Sequence, residues 1–294
     1  MKKLSQLALL TSLAMGATFL PAQAALDTTF NPNDVLLGFR AATGVGNDVT
    51  LIFNLGAASL YRDTTSNILN IATIGTNLST AYNDGGTAWD DRTNLWAGFV
   101  SATNGINIDD SGGIPIASQT TDYNATIYVS TRRTATGTVG SANSTKPGNS
   151  IPLDAVTFGS AVGDLGGTFS TYQSGGIFNR GTGDTNTWNT YVTGSGSADF
   201  SQYNVEAAFT ASDRGTFGAA GTVEQIWDFY RVANFPNTDA DSGKGIYQGS
   251  FTLDNSGNVS FIAVPEPNTI GLLMAGLGFA GWVSRRRASR QNLA

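Results

Sequence analysis

The chain predicts an all-β body, a single β-sandwich or distorted β-barrel with one or two short helices. Three observations carry this. Short apolar runs rich in Val, Ile, Leu, Phe and Tyr recur along the sequence, separated by clusters of Gly, Asn, Asp, Ser and Thr. Glycine is abundant, with 36 in 294 residues, as a turn-rich fold requires. There are no cysteines, so stability must come from a packed core rather than from disulfides.

In chain order, Met1-Lys2-Lys3 is followed by an apolar run from Leu7 to Leu20 and by Ala22-Gln23-Ala24 before Ala25. A basic start, an apolar stretch and an Ala-x-Ala site form a secretory signal peptide. Residues 1–24 are therefore expected to be cleaved, with Ala22 and Ala24 setting the site and Ala25 becoming the first mature residue. The secreted β-rich domain, residues 25–263, follows and is long enough for one core.

Within the body, Asp34 to Arg40 (DVLLGFR) and Val49 to Leu55 (VTLIFNL) predict a hairpin or meander pair. Leu95 to Val100, Ala125 to Ser130, Val156 to Phe158 and Asn204 to Phe209 supply further strands. Tyr247 to Leu253 and Val259 to Ile262 flank Asp254-Asn255-Ser256-Gly257-Asn258, a run of turn residues. Ile68, Ile71, Ala72, Gly75, Leu78 and Tyr82 recur at helical spacing, which predicts a short amphipathic helix over Ser66 to Ala81. Val223 to Val232 (VEQIWDFYRV) fits a strand and a pair of helical turns equally well.

Charge narrows the partners. The body holds 10 Lys and Arg against 21 Asp and Glu, while both ends of the chain are basic. An acidic body argues against nucleic acid, whose phosphates demand a positive surface, and against anionic lipid headgroups. The absence of histidine removes the commonest general base and metal ligand.

The chemistry-bearing residues form no strong motif. Glu206 and Glu224 are the only glutamates of the body and could serve as a glycosidase pair, but solvated strand charges are the simpler reading. Asn237-Thr238-Asp239-Ala240-Asp241-Ser242-Gly243 alternates oxygen ligands like the start of a calcium loop. It places Ser242 and Gln248 where an EF-hand requires Gly and Glu, leaving only a looser calcium site or an acidic surface loop. Asp90-Asp91 and Asp109-Asp110 receive the same reading. Lys146 and Lys244 lack the setting of a Ser–Lys nucleophile, and no glycine pattern leads from a strand into a helix to hold a nucleotide. Trp89, Trp96, Trp188 and Trp227 would be either core or a sugar-stacking face.

The tail, residues 264–294, is the most informative segment. Pro265 and Pro267 flank Glu266, and proline geometry keeps Val264 to Pro267 stiff and extended. Thr269 to Ser284 is uncharged and apolar; at about 1.5 Å per residue it forms a helix of roughly 24 Å, short for a bilayer core of about 30 Å. Arg285-Arg286-Arg287, with Arg290, then forms a basic membrane stop on the cytoplasmic side. This order resembles the PEP-CTERM sorting signal of Gram-negative bacteria, with Pro265, Glu266 and Pro267 as its motif.

The resemblance implies processing by an exosortase, a membrane-embedded cysteine protease, in a setting of exopolysaccharide and biofilm production. The body is similar to a recurring group of proteins bearing this signal. The residues carrying that likeness are Leu36-Leu37-Gly38-Phe39-Arg40-Ala41, Phe53-Asn54-Leu55-Gly56, Trp89 with Arg92, Leu95-Trp96-Ala97-Gly98-Phe99-Val100, Ile127-Tyr128-Val129-Ser130 and Tyr247-Gln248-Gly249-Ser250-Phe251-Thr252-Leu253. These read as core strands rather than a reactive site.

The expected function is thus a non-enzymatic exported protein without cofactor or metal. Signal peptidase and the exosortase process it, and the inner membrane holds it transiently with the body in the periplasm. It then lies at the cell surface or in the matrix, with extracellular polysaccharide as a partner and no nucleic acid. A lectin-like or adhesive module, with or without calcium, is the alternative, and a secreted glycoside hydrolase a more distant one.

Overall fold

The structure is a computed structural model that describes residues 29–62, 64–102, 126–133, 158, 160–166, 177–179, 187–193, 200, 205–211, 213–233 and 245–264. Its strands are β1 (Asp34–Ala41), β2 (Val49–Ala57), β3 (Ile68–Thr73), β4 (Leu95–Ala102), β5 (Thr126–Arg132), β6 (Ile177–Asn179), β7 (Glu206–Ala208), β8 (Gly215–Thr216), β9 (Thr222–Val223), β10 (Gln225–Ala233), β11 (Gly245–Leu253) and β12 (Asn258–Ala263). The helices are α1 (Gly75–Tyr82), α2 (160–166) and α3 (Trp188–Thr193).

Eight strands in the order β3-β12-β11-β10-β5-β4-β1-β2 pair antiparallel; β6 extends the β2 edge and β7 branches from β4. The sheet curls until strands two and three places apart in that order touch. Phe99 of β4 stacks on Phe251 of β11 at 4.2 Å and 8°, and the Trp227 indole N–H of β10 donates to the Ala97 carbonyl of β4 at 2.8 Å. This is a nearly closed barrel, which decides the sandwich-or-barrel expectation. Its open seam lies between β2 and β3. Tyr61 spans that gap: its hydroxyl donates to the Leu55 carbonyl at 2.6 Å, while its ring meets Phe251 at 4.9 Å and Phe261 at 5.1 Å. Helix α1 packs Leu78, Ala81 and Tyr82 into the same core, and the Tyr82 hydroxyl donates to the Phe39 carbonyl at 3.0 Å.

Alternation along each strand sorts the residues onto two faces. Val35, Leu37 and Phe39 of β1, Leu51 and Phe53 of β2, and Phe251 and Leu253 of β11 point inward to one aromatic-rich core. Leu36, Ile52, Val100, Ile127 and Val129 point outward. There they are covered by Val162 and Leu165 of α2, Trp188 and Val192 of α3, and Phe200. Gly38 is required by this layer, because a Cβ at that position would overlap the Trp188 indole. Gly98 likewise leaves room for the Val205 carbonyl beside β7.

The branch at β4 has a local cause. Trp96–Gly98 pair with β7, whereas Val100–Ala102 pair with β5. The Ser130 hydroxyl fills the fork, accepting from the Phe99 amide at 2.7 Å and donating to the Val205 carbonyl at 2.6 Å.

Most expected strands are present and somewhat longer than expected, whereas Asn204 to Phe209 shortens to β7, and Val223–Val232 resolves into β9 and β10. The expected helix over Ser66 to Ala81 is corrected: its first half is strand β3, and α1 begins only at Gly75. The edge of β12 needs a partner for its backbone groups, and Ile68, Ala72 and Thr73 supply it. A bulge between those pairs, with Asn70 at φ 54°, shifts the register and mimics helical spacing. Of the expected strand Val156 to Phe158, only Phe158 is described, and it is helical. Strands β6 and β8 and helices α2 and α3 had no recognisable sequence signal.

Candidate functional site

The sorting segment is built directly onto the barrel. Strand β12 pairs with β11 up to its last residue, Ala263, and with β3 as far as Phe261. Ala263 pairs with Gly249, is buried, and donates its amide to the Asn67 side chain at 3.0 Å. Only Val264 separates this clamped strand end from Pro265. The missing proline N–H fits the position, because a ladder cannot continue through Pro265 and Pro267. The paired strand therefore ends one residue before the Pro265-Glu266-Pro267 motif.

Pro265, Glu266, Pro267, Arg285, Arg286 and Arg287 lie outside the described residues, as do Ala22, Ala24 and Ala25 of the expected signal-peptide site. Among the described residues no helix is long and apolar enough to cross a membrane; the expected spanning segment lies beyond them.

The two body glutamates go to different partners. Glu206 on β7 is no solvated strand charge. Its side chain is 7% exposed and pairs with Arg40 of β1 at 2.7 Å, while the Trp188 indole N–H donates to it at 2.6 Å. Burial raises its carboxyl above the ordinary value of 4.5, opposed by Arg40 and Trp188. Arg40 also lies over the Trp96 ring at 5.3 Å. Glu224, between β9 and β10, forms an ion pair with Arg214 at 2.9 Å. Arg214 in turn reaches the Asp91 carboxylate at 3.2 Å and the Asp90 carbonyl.

The aromatic expectation divides in favour of the core. Trp89, Trp188 and Trp227 are buried, and Trp96 is only partly exposed beneath Arg40. Arg92, next to Trp89, is a buried pin. Its guanidinium donates to the carbonyls of Tyr82 at 2.6 Å, Val45 at 2.7 Å and Thr43 at 3.0 Å, tying α1 to the β1–β2 loop. The acidic loop 237–243, Asp109-Asp110, Lys146 and Lys244 lie outside the described residues.

Sequence reasoning missed a small polar cavity of about 150 Å³ on the outer face of the sheet. Asn70, Thr252, Asp254, Asn258 and Ser260 line it above Val223. It sits at the start of β12, the strand whose far end carries the sorting segment. Only the turn sequence Asp254 to Asn258 hinted at it, since the β3 bulge that brings Asn70 across is a long-range event.

Comparison with protein families finds the PEP-CTERM protein-sorting motif at residues 263–287, an interval holding Pro265-Glu266-Pro267 and ending at Arg287. Comparisons with curated proteins and with solved structures give no match. The C-terminal segment following β12 is a PEP-CTERM sorting motif, and it marks the chain as an exported protein sorted by an exosortase.

Proposed function

We propose that the chain is a non-enzymatic protein of the cell surface or extracellular matrix, delivered by exosortase processing and associated with exopolysaccharide in biofilm. The observation that carries this is the sorting motif joined to a two-sided barrel strand with one intervening residue. The folded body thus leads directly into the Pro265-Glu266-Pro267 motif at which the exosortase would act. Signal peptidase acts at the expected Ala24–Ala25 bond, and the inner membrane is a transient host. The engagement of Glu206 with Arg40 and Trp188, and of Glu224 with Arg214, supports a structural rather than hydrolytic use of these carboxylates.

The test is to replace Pro265, Glu266 and Pro267 with alanine and follow location and mass. The variant is expected to stay in the membrane at unprocessed mass. Arrival at the surface or in the medium at the wild-type mass would sink the sorting role of these residues. A second reading makes the body a carbohydrate-binding module. The polar cavity favours it, whereas burial of Trp89, Trp188 and Trp227 takes three of the four expected stacking tryptophans out of reach.

A further inference from the structure

We propose that the outer-face cavity is a subsite for one non-acidic sugar residue at the end of a polysaccharide chain. This rests on the second reading above and assigns its residues. The cavity, at about 150 Å³, is far below the roughly 300–1,000 Å³ of drug-sized sites, so it holds one small ring rather than an extended chain. Its polar wall is built rather than incidental. The β3 bulge turns Asn70 into the left-handed region at φ 54°, where its backbone amide donates to the Ser260 hydroxyl at 3.0 Å. Ser260 then keeps its own proton for a ligand, and the exposed Asn70 amide offers a donor and an acceptor.

Asp254 supplies the remaining acceptor. Its Oδ1 already receives the amides of Ser256 at 2.9 Å and Asn258 at 2.8 Å. Its Oδ2 receives only the Asn258 side-chain amide, at 2.8 Å, so one lone pair stays available. Alternating donors and acceptors match adjacent sugar hydroxyls, each of which gives one hydrogen bond and accepts others. The Asp254 carboxylate lines the cavity and no cationic side chain does, so a uronic acid would be repelled. Ser260 lies three residues before Ala263, roughly 10 Å from the point where the sorting segment leaves. The cavity thus sits at the end of β12 away from the membrane-directed tail.

The experiment is calorimetric titration of the full-length chain in a zwitterionic, sugar-free detergent with dextran, chitosan and alginate oligosaccharides. Dextran or chitosan oligomers are expected to bind, and alginate at least about tenfold more weakly. Asn70→Gly, which keeps the left-handed backbone, and Ser260→Ala are each expected to weaken binding about tenfold, the scale of a lost hydrogen bond. Ala219→Trp, placed at an exposed position beside the mouth, is expected to abolish it. If sugars bind but these variants do not change the affinity, the subsite is wrong and the second reading stands. Alginate binding as tightly as dextran would overturn the charge argument. Failure of all three oligosaccharides would overturn both the subsite and the second reading.

Discussion

The two faces of the curled sheet are held by different chemistry. Inside, rings pack on rings: Phe251 alone meets Phe99 at 4.2 Å, Tyr61 and Phe261 at 4.9 Å, and Phe229 at 5.0 Å. Outside, the layer is stitched by charges drawn from distant parts of the chain. Arg133 and Asp228, both with fully buried side chains, pair at 2.6 Å; Arg40 and Glu206 pair across 166 residues. The inner face tolerates no cavity but needs no partner charges. The outer face depends on each charge finding its counterpart, so it gains specificity where it gains little net stability.

Single truncations should hurt both faces, and a paired replacement should separate them. Phe251→Ala is expected to cost about 3–5 kcal/mol, because the surrounding rings cannot all collapse into the space. Asp228→Ala is expected to cost a similar or slightly smaller amount, about 3–5 kcal/mol, by leaving the Arg133 guanidinium buried without its carboxylate. The Ser250 hydroxyl, which donates to Asp228 at 2.7 Å, loses its acceptor as well. Arg133→Met combined with Asp228→Leu should then recover most of the second loss. Urea midpoints and slopes measure all three. A double variant as unstable as Asp228→Ala would show that the outer layer is held by the pair itself rather than by its mutual satisfaction.

This division also explains what the sequence made legible. Strands β1, β2, β4, β11 and β12 are buried on both faces, so they stand out locally as short apolar runs bounded by turn residues. The outer face is assembled from long-range contacts. Nothing near Gly38 tells that the indole of Trp188 will cover it, and nothing near Glu206 names Arg40 as its partner. The cavity is hidden for the same reason: Asn70 and Ser260 meet across 190 residues through a bulge that looks helical in sequence. The sorting motif was legible because its residues are contiguous in the sequence, from Pro265-Glu266-Pro267 to Arg285-Arg286-Arg287.

The smallest expected effect tests how the outer layer balances burial against pairing. Burial raises the Glu206 carboxyl above 4.5 despite Arg40 and Trp188, so the folded state holds that proton more tightly than the unfolded chain does. The contribution of this group to stability is therefore fully present below about pH 4.5 and is lost as pH rises through its folded value. Glu206→Gln keeps the shape and can still accept from Arg40 and Trp188, but it does not titrate. Wild-type stability relative to Glu206→Gln is expected to fall as pH rises from 4 to 8, with the change confined to the region above 4.5. Urea unfolding of both proteins across that range isolates the group, because Glu224 titrates equally in each. A difference that rises with pH would mean that the Arg40 pair outweighs desolvation, making the outer-face ion pairs a net source of stability and narrowing the contrast with the aromatic interior.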